Sequence, residues 1–355
     1  MEGVVNIPLS GYSLVRPSGP NAARRHALQH FLVGPENCLV EPAVRSVLDN
    51  AQPDYNPLLI HGPNGSGKSH LARGLAARWE TLRRRGRVIY TSAKGFAGEV
   101  ADAIETQGSD ELRDYYRQAA LFVIEDIERL AGKGAAQEEL IHTFDFLLTH
   151  GRQIVATAST APAQLKGIRP ALQSRLSTGL TLPLAPPGRR TRAVILRRLA
   201  RLRKLDLGEA AARLLAETVS GNVPDLLLAL DQLEQCGRVD DRSIGLDAVR
   251  AYLSRRKASQ PALREIAAAA ARFFSLKLSD LRSPSRRRPV LTARGVAMYL
   301  ARRWTDNSLD EIGNYFGGRD HTTVMHSCRK MESLLKTDPA IREAVKQLDK
   351  KWEVK

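Results

Sequence analysis

Three glycines, a lysine and a serine between residues 62 and 69 are spaced as in a phosphate-binding loop. The segment Gly-Pro-Asn-Gly-Ser-Gly-Lys-Ser matches the Gly-x4-Gly-Lys-Ser pattern in full. Its glycines allow backbone N–H groups to turn inward around phosphates, and Lys68 supplies a cation for the terminal phosphates. The sequence therefore predicts ATP and Mg²⁺ as cofactors. The residues expected to bind the nucleotide are Gly62, Asn64, Gly65, Gly67, Lys68, Ser69 and His70.

Two adjacent carboxylates, Glu125 and Asp126, end a second apolar run that starts at residue 121. Burial of a strand explains the apolar run but not two acids at its end. Open α/β sheets bind ligands at the carboxyl ends of their strands, and ATPases place acids there to hold Mg²⁺ and orient a water. We expect Ser69 and Glu125 to bind Mg²⁺, and Glu125 and Asp126 to be catalytic.

The elements that would position these groups follow from the pattern between residues 31 and 184. Short apolar runs alternate with helical stretches, as in buried parallel strands joined by helices. Strands are expected at 58–61, 88–91, 121–125, 153–158 and 180–184, with a helix at 69–79 after the phosphate loop. This predicts an α/β doubly wound parallel sheet for residues 28–187. Residues 1–27 show no clear period and are expected to form a mostly irregular arm.

Beyond the Pro-Pro-Gly sequence at residues 186–188 the pattern is helical only. Helices expected at 189–204, 208–220 and 225–236 would form a small α-helical lid, followed by a connecting helix at 247–257. We therefore expect the lid and its connector to occupy residues 188–257. An all-α domain would then occupy residues 258–355.

The all-α domain contains the pattern of a helix-turn-helix. Ser308 and Glu311 form a capping box for a short helix, and Gly317 with the glycine after it permits a tight turn. Asp320 would cap a second, longer helix, whose N-terminal end enters the major groove in such motifs. Arg can pair with guanine there, Asp with cytosine, and Thr with the thymine methyl group. The residues expected to contact DNA are Arg319, Asp320, His321, Thr322 and Thr323.

A basic segment upstream contains Arg286, Arg288 and Arg294. An isolated arginine run is more often a solvated surface, but beside a helix-turn-helix it favours contact with phosphates or the minor groove. The charge of the whole chain supports this interpretation. The net charge of +16 divides into +2 for residues 1–187, +5 for 188–256 and +9 for 257–355, which predicts a polyanionic partner for the C-terminal part.

No apolar run is long enough to span a membrane, and the start lacks the order of a signal peptide. A cytoplasmic location is therefore expected. The three cysteines lie far apart and show no metal-binding spacing.

The order of these motifs resembles the bacterial DnaA family of chromosomal replication initiators. The resemblance covers about nine-tenths of the chain, from residue 31 onward, and is carried by the phosphate loop, the acidic strand end, Gly132-Lys133, residues 137–144 and residues 316–324. It implies an AAA+ fold with a small lid, followed by a helix-turn-helix domain that binds DnaA-boxes at the origin. It also implies ATP-dependent self-association into a filament and promotion of duplex opening.

Further roles come from the resemblance alone. It implies that Arg175 reaches the ATP of a neighbouring protomer and that Arg286 enters the minor groove. It places an inserted helix for assembly and single-stranded DNA near residues 96–116. Single-stranded DNA and acidic phospholipid are thus implied as further partners. The N-terminal domain usual in the family is expected to be missing, since about 30 residues precede the core.

Several positions depart from the family pattern. The acidic pair begins with Glu125 where the family usually has aspartate, and the polar residue after the fourth strand is Ser159 instead of aspartate. Arginines or basic residues usual in the family are replaced by Ala135, Ala171 and Pro224. The phosphate loop is complete, so ATP binding is expected to survive. Hydrolysis is expected to be weak at most, because an arginine near a transferring phosphate can contribute about 10³–10⁵ in rate.

Three functions remain open from sequence. The chain is an initiator with weak ATPase activity, a DnaA-like paralogue that regulates transcription or replication without melting DNA, or an AAA+ helicase loader or transposition ATPase. The altered positions favour the paralogue, whereas the helix-turn-helix signature argues against the loader.

Overall fold

The structure is a computed structural model that describes residues 4–8, 30–49, 55–82, 86–219, 222–236, 243–305 and 307–353. The chain divides into two compact units, Met1–Gly245 and Leu246–Lys355. Each unit is treated by itself below. Among the described residues, every helix is too short or too polar to cross a membrane.

The first unit is built on a five-stranded parallel sheet. The described strands of the unit, in this sheet and in two smaller pairs, are β1 (Val5–Pro8), β2 (His30–Val33), β3 (Leu58–His61), β4 (Arg87–Ser92), β5 (Ala119–Glu125), β6 (Gln153–Ala158), β7 (Leu180–Pro183), β8 (Asp206–Leu207) and β9 (Ser243–Ile244). The large sheet has the order β4-β5-β6-β3-β7. The predicted α/β fold and all five of its strands are confirmed, with ends that differ by at most two residues.

Helices cover both faces of this sheet. The helices of the unit are α1 (Val40–Asp49), α2 (Lys68–Leu82), α3 (Ala93–Glu105), α4 (Ser109–Arg117), α5 (Gly134–Thr149), α6 (Pro170–Thr178), α7 (Arg189–Leu202), α8 (Glu209–Thr218) and α9 (Val223–Cys236). Phe96, Phe144 and Leu172 bring α3, α5 and α6 onto one face, and Val44 and Leu75 bring α1 and α2 onto the other. The strands are buried on both faces, which explains their continuous apolar sequences.

The N-terminal arm contains a strand that the sequence analysis did not predict. β1 pairs antiparallel with β2, so that Val5 lies opposite Val33, and Ile7 is buried with Phe31 in the core. The expectation of a mostly irregular arm did not include this strand, because a four-residue strand whose partner lies more than twenty positions away has no local periodicity to reveal it. Residues 1–3 and 9–27 of the arm lie outside the described residues.

Helices α7, α8 and α9 form the lid, with a short parallel pair of strands, β8 and β9, beside them. Arg192 ties α7 to the end of α8, because its Nε and Nη2 donate to the carbonyl oxygen of Ala216 at 3.0 and 2.7 Å. The same guanidinium donates to Pro187 at 2.9 Å, which fixes the entry to the lid.

The second unit is all-α. Its helices are α10 (Leu246–Ser259), α11 (Leu263–Phe273), α12 (Leu278–Arg282), α13 (Arg288–Trp304), α14 (Leu309–Tyr315), α15 (His321–Thr337) and α16 (Pro339–Glu353). Ile266 of α11, Val296 of α13, Ile312 of α14 and Val324 of α15 meet in one core. The division of the chain at Gly245 groups α10 with this unit, whereas the sequence analysis expected it to belong to the lid.

Candidate nucleotide site and nucleic-acid interface

The phosphate loop joins the carboxyl end of β3 to α2, which begins at Lys68, one residue before the predicted start. Gly65 has a φ of 78°, and a Cβ there would lie 2.4 Å from the side chain of Asn222. At Gly62 a Cβ would lie 2.1 Å from the carbonyl oxygen of Leu184. Both positions therefore require glycine, and the loop is packed against the lid on one side and the end of β7 on the other.

Lys68 is 7% exposed and lies inside this loop. Its Nζ donates to the carbonyl oxygens of Gly62 at 2.8 Å and Pro63 at 3.0 Å. Burial lowers the pKa of Lys68, whereas the nearby acids Glu128, Asp126 and Glu125 act in the opposite direction. The arrangement holds a cation directly under the loop, beside acids that balance its charge.

Two buried oxygens close to this cation have no hydrogen-bond partner among the described residues: Ser66 Oγ of the loop and Oε1 of Glu125 at the end of β5. The other Glu125 oxygen accepts from Arg73 Nη2 at 3.4 Å, and Arg73 Nε donates to the Tyr90 hydroxyl at 3.1 Å. Burial and the Glu125 charge raise the pKa of Tyr90. An unpaired buried carboxylate oxygen is the kind of ligand that Mg²⁺ prefers, so Glu125 fits this metal.

The residues after Glu125 turn sharply. Asp126 adopts a left-handed conformation with φ 58° and ψ 56°, and its N–H donates to Thr157 Oγ1 of β6 at 3.0 Å. Burial, Glu128 and Glu125 raise the pKa of Asp126. Glu128 follows in a 3-10 turn and accepts from the Ser159 N–H at 3.2 Å. Glu128 was not predicted as a site residue, although a third acid within four residues of the strand end was an available signal.

Other residues predicted to hold the nucleotide surround the loop. His70 stacks on Phe31 of β2 with ring centroids 5.8 Å apart, and Asn64 is exposed at the tip of the loop. Burial, with a smaller effect of Lys68, lowers the pKa of His61. Phe31 was not predicted as part of this region, because its contact with His70 depends on β2 lying beside α2 in the fold.

Arg175 lies in the last turn of α6 and forms a bidentate ion pair with Asp145 of α5. The Nε–Oδ1 distance is 2.5 Å and the Nη2–Oδ2 distance is 2.7 Å, while Nη1 donates to Ala171 at 3.1 Å. This pairing lowers the pKa of Asp145 and raises that of Arg175. In the single chain, the Arg175 guanidinium, which is expected to reach the ATP of a neighbouring protomer, is bound to the partly exposed carboxylate of Asp145.

The lid meets the phosphate loop through an uncharged residue. Asn222, just before α9, lies against Gly65, and its backbone N–H donates to Asp225 Oδ2 at 3.0 Å. Pro224, at the position where the family usually has an arginine, occupies the first turn of α9. The lid residue beside the loop is therefore an amide, and the proline at position 224 cannot supply the side-chain donor that an arginine would.

The helix-turn-helix forms as its caps predict. The Ser308 Oγ accepts from the Glu311 N–H at 3.1 Å, while the Glu311 carboxylate accepts from the Ser308 N–H at 2.6 Å. Gly317 and Gly318 have φ values of 98° and 69°. Asp320 then caps α15 by accepting from the Thr323 N–H at 2.7 Å. The predicted turn and both of its caps are confirmed.

The first turn of α15 presents three exposed side chains, His321, Thr322 and Thr323. The Thr322 hydroxyl donates to Asp320 Oδ1 at 2.7 Å, and these contacts lower the pKa of Asp320 to about 2. His321 Nδ1 lies 3.4 Å from a carboxylate oxygen of Asp310 on α14. Asp320 is therefore a charged helix cap, and the polar surface beside it is open to a partner.

Arg319 is oriented differently from its neighbours. Its Nη2 donates to the Ser283 carbonyl oxygen at 2.9 Å, and its Nη1 donates to that of Phe316. Burial lowers the pKa of this half-buried guanidinium. In this conformation Arg319 holds the turn against the loop at Ser283, instead of extending outward with the residues of α15.

The basic segment divides into exposed and buried arginines. Arg286 and Arg288 are exposed, as expected for phosphate contacts. Arg294 is 3% exposed, so its predicted place on a DNA-facing surface is wrong. Its guanidinium lies under residues 280–285, which are the end of α12 and the turn after it, and burial together with Arg319 lowers its pKa to about 10. It donates to the carbonyl oxygens of Leu281 at 2.6 Å, Ser285 at 3.0 Å, Asp280 at 3.0 Å and Ser283 at 2.8 Å.

Two models of one family match parts of the two units. The family model of the bacterial DnaA ATPase domain matches residues 22–183, and that of the bacterial DnaA helix-turn-helix matches residues 263–331. Domain III of the Thermotoga maritima replication initiation protein DnaA is 30% identical, with 63% of this chain and 94% of that chain covered and a TM-score of 0.58.

Two further solved structures extend over nearly the whole chain. AMPPCP-bound DnaA from Aquifex aeolicus is 28% identical, with 91% of this chain and 95% of that chain covered and a TM-score of 0.59. A replication initiator DnaA bound to AMPPCP and single-stranded DNA is 28% identical, with 90% and 95% covered and a TM-score of 0.60.

Proposed function

The chain belongs to the bacterial DnaA family, and we propose that it is an ATP-binding replication initiator that assembles on DnaA-box-like sites and promotes opening of the origin duplex. One observation carries this proposal: a single chain combines a complete phosphate loop, with an unpaired buried carboxylate oxygen beside it, and a capped helix whose exposed polar end fits a DNA groove. Neither feature alone would distinguish an initiator from an unrelated ATPase or repressor.

The nucleotide site supports binding of ATP with Mg²⁺. The loop N–H groups and the N-terminus of α2 would hold the phosphates, while Lys68 would exchange its bonds to Gly62 and Pro63 for the terminal phosphates. Ser69 and Glu125 would hold Mg²⁺, which neutralises charge on the phosphates when bound. Two related DnaA structures contain AMPPCP, an analogue of the expected ligand.

The C-terminal unit supports reading of duplex DNA. We assign base contacts to His321, Thr322 and Thr323, because these side chains are exposed at the N-terminal end of α15. Arg286 and Arg288 are exposed and would contact phosphates or the minor groove. Direct base contact by Arg319 would require it to leave the carbonyl oxygen of Ser283.

Self-association would use Arg175. Its guanidinium is bound to Asp145 in the single chain, so reaching a neighbour's ATP costs this ion pair. A partly exposed pair of this kind contributes only about 0.2–1 kcal/mol, so ATP on a neighbour could displace it readily. A related DnaA binds single-stranded DNA, which we propose as a further partner here, and acidic phospholipid remains a proposal from family resemblance alone.

A second function is favoured by the lid. The neutral Asn222 lies against Gly65 of the phosphate loop, and residue 224 of α9 is proline where the family usually has arginine; both features support a paralogue that occupies boxes without coupling ATP to DNA melting. The two functions differ in one property: an initiator opens the duplex in an ATP-dependent manner, whereas the regulator only protects it.

Footprinting combined with permanganate probing separates these functions. The probe is a supercoiled plasmid that carries a cluster of DnaA-boxes beside an AT-rich segment. The initiator predicts cooperative protection and permanganate-reactive thymines with ATP, and loss of both in Lys68→Ala but not in the exposed-lysine control Lys166→Ala. Protection without reactive thymines would favour the regulator, and absence of any box preference would refute both.

Base reading is tested on the same DNA with short duplexes. Thr322→Ala should weaken binding to the box more than binding to a random duplex, because a base contact is lost while phosphate contacts remain. Thr337→Ala, at the exposed far end of α15, is the matched control and should change neither affinity. Equal losses on both duplexes for Thr322→Ala would show that this residue does not read bases.

A further inference from the structure

The first helix of the lid, α7, and the two residues after it carry a dense positive charge. Residues 189–204 contain eight cations, seven of them arginines, and no acid, whereas residues 1–187 have a net charge of only +2. Two of these arginines are used within the first unit, because Arg192 donates to backbone carbonyl oxygens and Arg203 pairs with Asp231. The packing of the lid therefore accounts for only part of this charge.

Three of the other arginines form one stripe along α7. At 3.6 residues per turn, Arg190, Arg197 and Arg201 lie within about 40° of one another around the helix axis. Their Cα atoms are spaced by about 10.5 Å and then about 6 Å along that axis. Arg190 and Arg201 are exposed, and Arg197 is half-buried. Among the described residues, no carboxylate forms an ion pair with any of the three.

A surface groove with a volume of about 490 Å³ runs beside this stripe. Its described lining residues are Val194, Arg197, Arg198, Arg201 and Leu202. Arg198 donates to the amide oxygen of Asn6 at 3.3 Å, and this neutral partner leaves its charge uncompensated. A second groove, of about 540 Å³, shares Val194 and Arg197 with the first and is also lined by Arg190 and by Glu209 and Glu217 of α8. The described lining of the first groove thus offers three guanidinium groups and no acid, which suits an anionic ligand.

A helix surface that served only solubility would mix both signs of charge. Opposite charges three or four residues apart stabilise a helix, and like charges at this spacing destabilise it. Helix α16, which also carries four cations, has three acids among them. In α7, by contrast, Arg197 lies four residues before Arg201 and Arg198 lies three residues before it. These guanidinium groups repel one another in the free lid, and an anionic partner would relieve that repulsion.

The chemistry of the stripe favours the phosphate backbone of duplex DNA over other anionic partners. Guanidinium groups match phosphate oxygens in shape, and a duplex offers one charge per about 1.7 Å of its axis. A helix that lies in a membrane surface needs a free apolar face, but Ile195, Leu196 and Leu199 of α7 are buried. Sites for single strands add aromatic side chains on which bases stack, and α7 contains none.

We propose that Arg190, Arg197 and Arg201 form a second binding surface for duplex DNA, which contacts the phosphate backbone without reading its sequence. The inference goes beyond the proposed function, because this contact depends on neither a DnaA-box nor ATP. It would hold the first unit on DNA directly, in addition to the helix-turn-helix of the second unit. Since each phosphate contact releases counterions, the contribution of this surface would decline steeply as the salt concentration rises.

The test compares two variants of the full chain that each lose three positive charges. The stripe variant combines Arg190→Gln, Arg197→Gln and Arg201→Gln. The scattered variant removes three exposed cations from separate parts of the same unit, by Arg45→Gln, Arg152→Gln and Lys166→Gln. Binding to a box-free duplex of about 40 base pairs is followed by fluorescence anisotropy between about 50 and 200 mM salt. The stripe variant should lower the salt slope by about two to three, at about 0.9 per lost phosphate contact, and the scattered variant should stay within about 0.5 of wild type.

A third variant with lysine at the three stripe positions keeps the charge and should retain most of the slope. If it lost the slope as the glutamine variant does, positive charge would not be what binds, and the inference would fail. Equal slopes in the stripe and scattered variants would also overturn it. An unchanged DNA slope, with weaker binding to phosphatidylserine vesicles or altered sedimentation of the protein alone, would assign the stripe to a membrane or to a second copy instead. In each of these cases box preference and ATP binding remain, so the proposed function survives.

Discussion

Replacing Arg294 by methionine would show whether this arginine stabilises the C-terminal unit or binds DNA. Methionine keeps much of the buried volume but removes all four hydrogen bonds to the carbonyl oxygens of residues 280–285. Each such bond contributes about 1 kcal/mol net, and removal of a buried charge recovers part of that sum. We expect a loss of about 3 kcal/mol in the free energy of unfolding of this unit, or roughly 10–20 °C in its Tm.

Urea denaturation followed by tryptophan fluorescence measures this loss, since Trp304 and Trp352 both lie in the C-terminal unit and pack against each other. The transition of that unit should move to lower urea in the Arg294→Met variant. At low temperature, where the variant is folded, the salt dependence of binding to duplex DNA should equal that of wild type.

Arg286→Ala is the matched control, because Arg286 is exposed in the same basic segment. It should leave the urea midpoint unchanged and lower the salt slope of DNA binding by about 0.9, the value for one phosphate contact. The opposite pattern would refute the reasoning. If Arg294→Met kept full stability but lost salt slope, its guanidinium would have to contact phosphate in solution.

Three further predictions follow from local geometry. Gly65→Ala should weaken ATP binding in calorimetric titration, because a Cβ at φ 78° would also collide with Asn222. The pKa of Asp320, lowered to about 2, gives stability that is full above pH about 4 and lost as the pH falls through about 2; Asp320→Asn should flatten this loss of helicity in circular dichroism. Asp145→Asn frees Arg175 and should strengthen ATP-dependent assembly in analytical ultracentrifugation, whereas Arg175→Ala should abolish it.

Features with a local signal could be predicted from the sequence. The strand Leu58–His61 and the helix after it follow from an apolar run and a glycine-rich motif within a few residues of each other. The helix-turn-helix was predictable for the same reason: Ser308, Glu311 and Asp320 make their capping bonds within three residues along the chain. Such capping bonds depend only on how far apart the residues lie in the sequence, so the residue pattern is enough to predict them.

Features that depend on distant parts of the chain could not be predicted. β1 is defined by its pairing with β2, and Glu128 gains its position through a hydrogen bond to a residue 31 positions away. Arg294 lies on the face of α13 that is turned into the core, whereas Arg286 precedes this helix. The residue type is the same, so the sequence did not distinguish the two arginines. Charge and spacing indicated a basic surface correctly, but the fold decides which arginines belong to it.

The balance of charge at the phosphate loop explains why the altered lid still suits a nucleotide-binding protein. Lys68 is buried with three acids after β5 nearby, and Asn222, the lid side chain against Gly65, is neutral. Pro224 supplies no cation to a terminal phosphate, so a difference between ATP and ADP would have to be detected by a group at another position. One group proposed for this purpose is Arg175 of a neighbour, once its guanidinium leaves Asp145. Under this proposal, nucleotide state would be read in the assembled protein, where that guanidinium would face a terminal phosphate.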